Sequence, residues 1–134
     1  MAHWIPLPLD TPIRCSVSEL ITLRSDGSAI SATFTVPHDE TKALHVHFHD
    51  SYGVMRMCDE HVLNLEDYQT PQQGLIEEHF LYQVEGADFL LNQPAVKDSY
   101  PGAKHFRCVT GGTCLDVIAN DPPTVMLVSR DSAS

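Results

Sequence analysis

Between residues 44 and 50 the sequence alternates apolar and imidazole side chains without interruption, and this run constrains the fold more than any other segment. Successive side chains of a β-strand point to opposite faces, so the run predicts a strand with one apolar face and one histidine face. The apolar face carries Leu44, Val46 and Phe48. The histidine face carries His45, His47 and His49. Three of the chain's eight histidines are therefore expected on one surface.

The segment before this run has a matching pattern, because residues 28–36 also alternate. One side of that strand carries Ile30, Ala32, Phe34 and Val36. The other side carries Ser31, Thr33 and Thr35. If the two strands pair, their apolar faces join one core and the threonines lie beside the histidines. The sequence thus predicts a binding surface of five side chains: His45, His47, His49, Thr33 and Thr35.

A glycine pair predicts a β-hairpin over residues 105–118. Gly111 and Gly112 separate two β-prone runs, and glycine adopts the two-residue primed turns of hairpins without steric cost. The cross-strand pairs in this register are Thr110–Thr113, Val109–Cys114, Cys108–Leu115, Arg107–Asp116 and Phe106–Val117. The register places Cys108–Leu115 and Phe106–Val117 on one face, and Val109–Cys114 on the other face beside the opposite-charge pair Arg107–Asp116.

A second hairpin is expected to turn at Asp26 and Gly27. This turn pairs Ser25 with Ser28 and brings Leu23 opposite Ile30. The alternative is a short helix, because Ser16 and Glu19 have the spacing of a capping box. The β-branched and apolar residues 21–23 favour the strand.

The remaining segments give weaker patterns. Residues 54–58 are expected to return beside the histidine strand, with Met55 and Met57 in the core and Arg56 outside. Residues 60–68 fit a strand or a short helix, and Pro71 starts a possible helix that extends to His79. The other expectations are a hairpin of 79–84 with 88–92, a loop over 94–102, a last strand over 124–128, and a proline-punctuated N-terminal arm over 1–12.

These runs add up to about eight or nine short strands, which is typical of a mainly β chain. The predicted fold is an antiparallel β-sandwich or partly open barrel with at most one short helix. The alternative is an α+β fold in which an antiparallel sheet carries one helix from the middle segment. Because a chain of 134 residues can bury one core, residues 1–134 are expected to form a single domain.

The chain is strongly acidic, with 18 acidic and 8 basic residues and a formal net charge of −10. Nucleic-acid binding requires a surplus of Lys and Arg, so no nucleic-acid partner is expected. An acidic domain is instead steered toward basic molecules, which predicts a basic protein partner. An exposed edge strand or the N-terminal arm would also allow a homodimer.

The sequence predicts a soluble, cytoplasmic protein without a membrane partner. No apolar stretch approaches the roughly 20 residues that a membrane span requires, and the N-terminus lacks the basic region of a secretory signal. The four cysteines lack the spacing of a redox pair or of metal-binding pairs. They are expected as core residues, with a disulfide between Cys108 and Cys114 as the alternative.

Two histidines that alternate on a strand can share a metal ion. Neighbouring members of the histidine row are roughly 7 Å apart at Cα, which lets two rings approach an ion at about 2.0–2.1 Å. The first and last members are roughly 13 Å apart, so at most two of His45, His47 and His49 can act together. A further ligand must come from elsewhere, and the candidates are His105, Asp50, Cys58 and His61. The cofactor would be a divalent transition metal; otherwise none is expected.

The His-x-His spacing resembles the first metal motif of the cupin family, whose members are small jelly-roll barrels. The run from Pro101 to His105 is similar to the second cupin motif. The glutamate of the first motif is absent, since Ser51 and Tyr52 stand at its offsets after His45, and the chain is not assigned to the family. What the resemblance implies is a metal-binding β-barrel with ligands from the histidine strand and His105.

Two hypotheses of function follow. The first is a non-enzymatic binding domain that uses its acidic surface, together with the histidine face, against a protein partner. The second is the cupin-like metal-binding barrel, acting as an enzyme. The sequence has no phosphate-binding glycine loop, and Ser51 beside His49 and Asp50 does not make a triad, because neighbouring strand residues point to opposite faces. The first hypothesis is therefore preferred. One more cluster, Glu77 to His79, is expected to be solvated surface.

Overall fold

The computed structural model describes residues 2–10, 13–27, 29–60, 72–91 and 94–130. Within these residues the chain is mainly β, as predicted, and its strands form two sheets, of six and four strands. The strands are β1 (Ala2–Pro6), β2 (Leu20–Asp26), β3 (Ala29–Thr35), β4 (Lys42–Phe48), β5 (Ser51–Asp59), β6 (Gln72–Gln73), β7 (Leu81–Glu85), β8 (Lys104–Cys108), β9 (Thr113–Ala119) and β10 (Thr124–Ser129). The helical segments are a 3-10 turn (Cys15–Val17) and the short helices α1 (Asp88–Leu91) and α2 (Pro94–Ser99).

The strand order is β5-β9-β8-β7-β1-β6 in the six-stranded sheet and β10-β4-β3-β2 in the four-stranded sheet. Neighbouring strands are antiparallel, apart from the parallel contact between β1 and β6. This arrangement is consistent with the predicted β-sandwich. Neither described helix is long and apolar enough to cross a bilayer.

The main core lies between the two sheets. The four-stranded sheet contributes Ile30, Phe34, Leu44, Val46 and Phe48, and the six-stranded sheet contributes Leu81, Phe106, Cys108, Leu115 and Val117. Phe34 meets Phe80 edge to face, with ring centroids 4.7 Å apart. Full burial of side chains of this size contributes about 1.5–3 kcal/mol each. The alternating pattern therefore correctly predicted the core face of the histidine strand.

The register predicted for the hairpin of β8 and β9 is confirmed in its strands, where Phe106 lies opposite Val117 and Arg107 opposite Asp116. Its turn was predicted wrongly: the ladder ends at Cys108 and Leu115, and neither Gly111 nor Gly112 has the positive φ of a primed turn. In the four-stranded sheet, β3 pairs with β4 so that Thr33 lies opposite His45. The histidines and the threonines therefore share the face of this sheet that points away from the core.

The register predicted for β2 and β3 is wrong by two residues. Leu23 lies opposite Ala32 rather than Ile30, and the ladder shifts at a bulge between Leu20 and Thr22. The bulge turns Ile21 outward, where it is 38% exposed, and lets both Leu20 and Leu23 pack against the core. Core packing thus outweighs the simple two-residue alternation at this edge. The alternative helix is absent, since β2 begins at Leu20.

The expected position of β5 is also wrong. After Phe48 the chain turns a corner into the other sheet, where β5 pairs with β9 and not with the histidine strand. Met55 and Met57 consequently lie on an edge strand, 37% and 56% exposed, and do not fill the core. A two-residue turn resembles a hairpin in sequence, and nothing local distinguishes it from a change of sheet.

The first strand of the hairpin predicted after residue 79 is present, but the second strand is absent from the described residues. Residues 81–85 form a strand, but the expected partner strand over 88–92 is the helix α1, and α2 lies in the predicted loop. Gln72 and Gln73 form the short strand β6, so the helix expected to extend to His79 is absent from its described part. The expectation for 60–68 falls almost wholly outside the described residues. The last strand is confirmed as β10.

The predicted N-terminal arm begins as a strand of the six-stranded sheet. Residues of β1 pair with β7 on one side and with β6 on the other. Trp4 is only 3% exposed and anchors a second small cluster on the outer face of this sheet. All four cysteines are free thiols, with Cys108 and Cys114 buried.

Candidate functional site

The predicted histidine row lies on the outer face of the four-stranded sheet. His45 and His47 are half-buried and His49 is exposed. The rings of His45 and His47 are nearly parallel, with centroids 6.2 Å apart, and those of His47 and His49 meet edge to face at 4.4 Å. Ser31 Oγ lies 2.6 Å from His47 Nδ1, and Thr124 Oγ1 lies 3.3 Å from His49 Nε2. Hydroxyl groups on both neighbouring strands therefore hold the row in place.

The environment of His47 disfavours its charged form. Partial burial lowers its pKa from the usual value, and the nearby positive charges of protonated His49 and His45 lower it further. Protonation of His47 is thus opposed both by its burial and by its two histidine neighbours.

The two threonines of the predicted surface have structural contacts. Thr33 is only 3% exposed, and its hydroxyl is hydrogen-bonded to that of Thr22. Thr35 is half-buried, and its hydroxyl accepts the Glu19 N–H at 2.9 Å. Thr33 is thus buried beneath its neighbours, and the histidine row shares the accessible part of this face with Met126, which is 55% exposed.

The structure separates two of the suggested metal ligands from the histidine row. His105 and Cys58 lie on the outer face of the six-stranded sheet, away from the histidine row. Asp50 accepts a hydrogen bond from Asn120 Nδ2 at 2.7 Å, and His61 is outside the described residues. In the part of the chain that the structure describes, no three His, Cys, Asp or Glu side chains are placed to hold one metal ion. Metal binding by two neighbouring histidines stays a prediction.

His105 instead belongs to a buried charge cluster centred on Asp116. Its Nε2 lies 2.5 Å from Asp116 Oδ1, and Arg107 Nε donates to the same oxygen at 2.6 Å. Arg56 donates to the other carboxylate oxygen from Nε at 3.0 Å and from Nη2 at 2.8 Å. Alternation along β8 and β9 places His105, Arg107 and Asp116 on the face of the sheet that points away from the core. The neighbouring strand β5 brings Arg56 beside them.

Aromatic rings cover the charge cluster from outside. The Trp4 ring stacks over the Arg107 guanidinium, with its centroid 4.8 Å from Cζ. Phe89 on α1 lies 5.1 Å from the Arg56 Cζ and 5.1 Å from the His105 ring centroid. Asp116 and His105 are therefore almost completely excluded from water, at 0% and 1% exposure. Low polarity around them strengthens each hydrogen bond in the cluster.

Burial and pairing act in opposite directions on these groups. Burial alone would raise the pKa of Asp116, but the hydrogen bond from His105 and the charge of Arg107 outweigh it and hold that pKa well below the usual range. Burial lowers the pKa of His105 in spite of the neighbouring carboxylate. The cluster is thus best described as one carboxylate, two guanidinium groups and a neutral imidazole that donates Nε2–H to Asp116. His105 Nδ1 has no hydrogen-bond partner among the described residues.

Outside the charge cluster, the residues carry a more negative net charge than the chain as a whole. It removes two of 8 basic residues and one of 18 acidic residues, which leaves 6 basic against 17 acidic, or −11, outside the cluster. Of the basic residues outside it, Arg14 is paired with Glu78, with Nε and Oε2 3.1 Å apart. A positively charged partner therefore meets a surface with few competing cations.

A surface cavity of about 350 Å³ lies where the segment from Glu77 to His79 meets Leu9 and Ile13 near the start of the chain. Its described lining combines apolar and ionisable side chains: Leu9, Ile13, Ile76, Glu77, Glu78 and His79. Ile13 is buried and packs into the main core, whereas Ile76 is 53% exposed and Glu77 is exposed. The cavity is thus lined by both apolar and ionisable residues, of which Glu77 is exposed to solvent. We call it the acidic cavity.

Several contacts fix the position of Glu78 in the wall of the acidic cavity. Its backbone has φ = 65°, the left-handed conformation that residues other than glycine rarely adopt. Its carbonyl accepts the Cys15 N–H at 3.2 Å, and its carboxylate accepts Ser16 Oγ at 2.8 Å and Arg14 Nε at 3.1 Å. The hydrogen bond from Ser16, followed by that from Arg14, lowers the pKa of this carboxyl, so it stays ionised. Strained backbone held by several contacts is concentrated at functional sites in proteins.

His79 completes the wall beside Glu78. Its Nε2 lies 2.9 Å from the Leu7 carbonyl oxygen, and its ring meets Tyr82 edge to face at 5.0 Å. The sequence showed Glu77 to His79 as a cluster but predicted a solvated surface there. It could not show the apolar lining, because Leu9 and Ile13 are more than 60 positions away in the chain.

Comparison with known proteins gives no further guide to the site: no family model, curated protein or solved structure matches this chain.

Proposed function

We propose that this chain is a non-enzymatic binding domain for a basic protein, and that the acidic cavity receives a lysine or arginine side chain of that partner. The observation that supports this proposal best is the lining of the cavity, which includes apolar residues together with Glu77 and Glu78. Lysine and arginine combine an apolar stem with a cationic head. The stem suits Leu9 and Ile13, and the head suits the carboxylate of Glu77.

The charge of the whole chain supports the same partner. With an excess of 11 acidic residues outside the buried cluster, long-range attraction raises the rate at which a basic protein arrives. The fixed position of Glu78 means that the cavity needs little reorganisation on binding, which favours affinity. The histidine face is a second contact area only if the partner is large enough to reach the outer face of the four-stranded sheet.

The test uses a short lysine- and arginine-containing peptide and its neutral counterpart with norleucine and citrulline. Binding is followed by the amide chemical shifts of the protein. We expect the basic peptide to shift residues 76–79 together with Leu9 and Ile13, and the neutral peptide to bind about tenfold more weakly or not at all. Binding should weaken as salt is raised from about 50 to about 300 mM.

Matched charge reversals locate the binding. Glu77→Lys places a cation at the mouth of the cavity and should abolish binding of the basic peptide. Glu85→Lys makes the same change at an exposed residue of β7 and should retain most of it. Shifts confined to another surface, or equal losses from the two variants, would overturn the assignment of the cavity. Absence of any salt-dependent binding to basic peptides would overturn the proposed function.

A further inference from the structure

The exposed edges of the two sheets differ in how they are protected against pairing with other strands. Proteins usually protect an edge with a bulge, a charged side chain, a proline or a very short strand. The edge strand β6 has only two residues. The edge strand β2 carries a bulge together with Arg24 and Asp26, and β5 carries a register shift together with Arg56 and Asp59. Three of the four edges described are thus protected.

The fourth edge, β10, lacks each of these devices. It runs regularly beside β4 over six residues, from Thr124 to Ser129, without a bulge. Its sequence, TVMLVS, contains no charge, proline or glycine. Met126 and Leu127, which point to opposite faces, are 55% and 45% exposed. A regular, uncharged and largely apolar edge of this length is a template for another strand.

The hydrogen bonding of β10 shows which backbone groups the edge offers. Just beyond the strand, Arg130 N–H donates to the Thr41 carbonyl at 2.9 Å, so Arg130 and the alternate residues Met126 and Val128 point their polar groups at β4. The intervening residues, Val125, Leu127 and Ser129, then point theirs away from β4. Among the described residues β10 pairs with β4 alone, so these groups form the free edge of the sheet.

We infer that β10 pairs with β10 of a second copy of this chain in antiparallel fashion, which joins the two four-stranded sheets into one of eight strands. A two-fold axis perpendicular to the sheet at Leu127 would place Leu127 opposite its counterpart and Val125 opposite Ser129. Each of these pairs consists of free-edge residues, so their backbone groups can bond to each other. The same axis keeps the two histidine faces on one side of the joined sheet.

The ends of β10 favour a second copy in this antiparallel orientation. The exposed Asp121 precedes the strand and the exposed Arg130 follows it. Antiparallel pairing brings Arg130 of each copy toward Asp121 of the other, whereas parallel pairing would place each of these side chains beside its own counterpart. Pairing would also cover Met126 and Leu127. Because each copy carries a net charge of −10, repulsion opposes the dimer at low salt, and added salt should strengthen it.

The experiment measures molar mass by sedimentation, from about 10 μM to about 1 mM protein, at low and high salt. We expect a concentration-dependent dimer that salt strengthens, with slower amide exchange of Val125 and Leu127 as the dimer forms. Leu127→Pro removes a free-edge N–H without touching the bonds to β4 and should weaken the dimer about tenfold or more. Met126→Lys adds a charge to the edge and should do the same.

Met57→Lys is the matched control, because Met57 is equally exposed, at 56%, on the protected edge strand β5. This variant should dimerise as the wild type does. A wild-type chain that stays monomeric at all concentrations in high salt would overturn the inference, as would a dimer that neither Leu127→Pro nor Met126→Lys weakens. The inference is independent of the proposed function, since binding of a basic partner weakens with salt while this dimer strengthens.

Discussion

At the scale of single residues, Asp116 is a fully buried carboxylate surrounded by hydrogen-bond donors. It is completely buried and accepts hydrogen bonds from Arg56, Arg107 and His105. The sequence predicted its pairing with Arg107, because the turn at Gly111 and Gly112 fixes the register of that hairpin. It could not predict the burial or the contact with Arg56, since both depend on the sheet that β5 joins.

We expect Asp116→Asn to destabilise the fold strongly. The variant leaves two guanidinium groups without their carboxylate, one of them fully buried, and breaking such a buried pair costs about 3–5 kcal/mol. Urea unfolding followed by circular dichroism measures the change. Asp121→Asn, at an exposed position, is the control and should stay within about 0.5 kcal/mol of the wild type. A similar small effect for both variants would contradict the role assigned to Asp116.

The lowered pKa values of His47 and His105 predict how stability depends on pH. In each case the folded chain binds a proton less readily than the unfolded chain, whose histidines have the ordinary value of 6.5. The contribution of each histidine to the free energy of unfolding is thus complete above about pH 6.5, and it is lost as the pH falls below that value. Unfolding in urea at about pH 7.5 and about pH 5.5 should show lower stability in acid. His47→Gln should reduce this difference, and a stability independent of pH would contradict the prediction.

At the scale of elements, local signals succeeded where a single turn or one strand face decides the structure. The alternation of β4 gave its core face, and the glycine pair gave the register of β8 and β9. Local sequence signals failed where contacts between residues distant in sequence determine the structure. The bulge at Ile21 exists because both Leu20 and Leu23 reach the core, and α1 replaces a strand where Phe89 covers the charge cluster.

The two neighbouring glycines of this hairpin should respond differently to substitution. A Cβ added to Gly111 would lie 2.0 Å from the Ser16 carbonyl oxygen, whereas one added to Gly112 would meet nothing within 4 Å. Gly111→Ala must therefore displace the backbone at Ser16, and we expect a loss of about 1–3 kcal/mol in unfolding free energy. Gly112→Ala is the matched control, expected within about 0.5 kcal/mol of the wild type. Equal effects in thermal unfolding would contradict the close approach of the two segments.

At the scale of the whole molecule, the sandwich followed from alternating strands and frequent turns, but the assignment of strands to sheets did not. The turn between β4 and β5 changes sheets, and this one corner decides where Arg56, Met55 and Met57 lie. The acidic cavity was equally hidden, because Leu9 and Ile13 are more than 60 positions away from Glu77 and Glu78 in the chain. Composition alone foresaw the acidic character, and the buried cluster strengthens it.

The position of Trp4 has one more consequence. It is the only tryptophan in the chain, and it lies in β1 against the guanidinium of Arg107. Tryptophan emission is sensitive to the polarity around the indole ring, so the intrinsic fluorescence of the protein comes from a single reporter between the first strand and the charge cluster. Release of β1 would shift that emission to the red even if the rest of the sandwich stayed folded. The protein thus carries a built-in optical probe for the docking of its first strand.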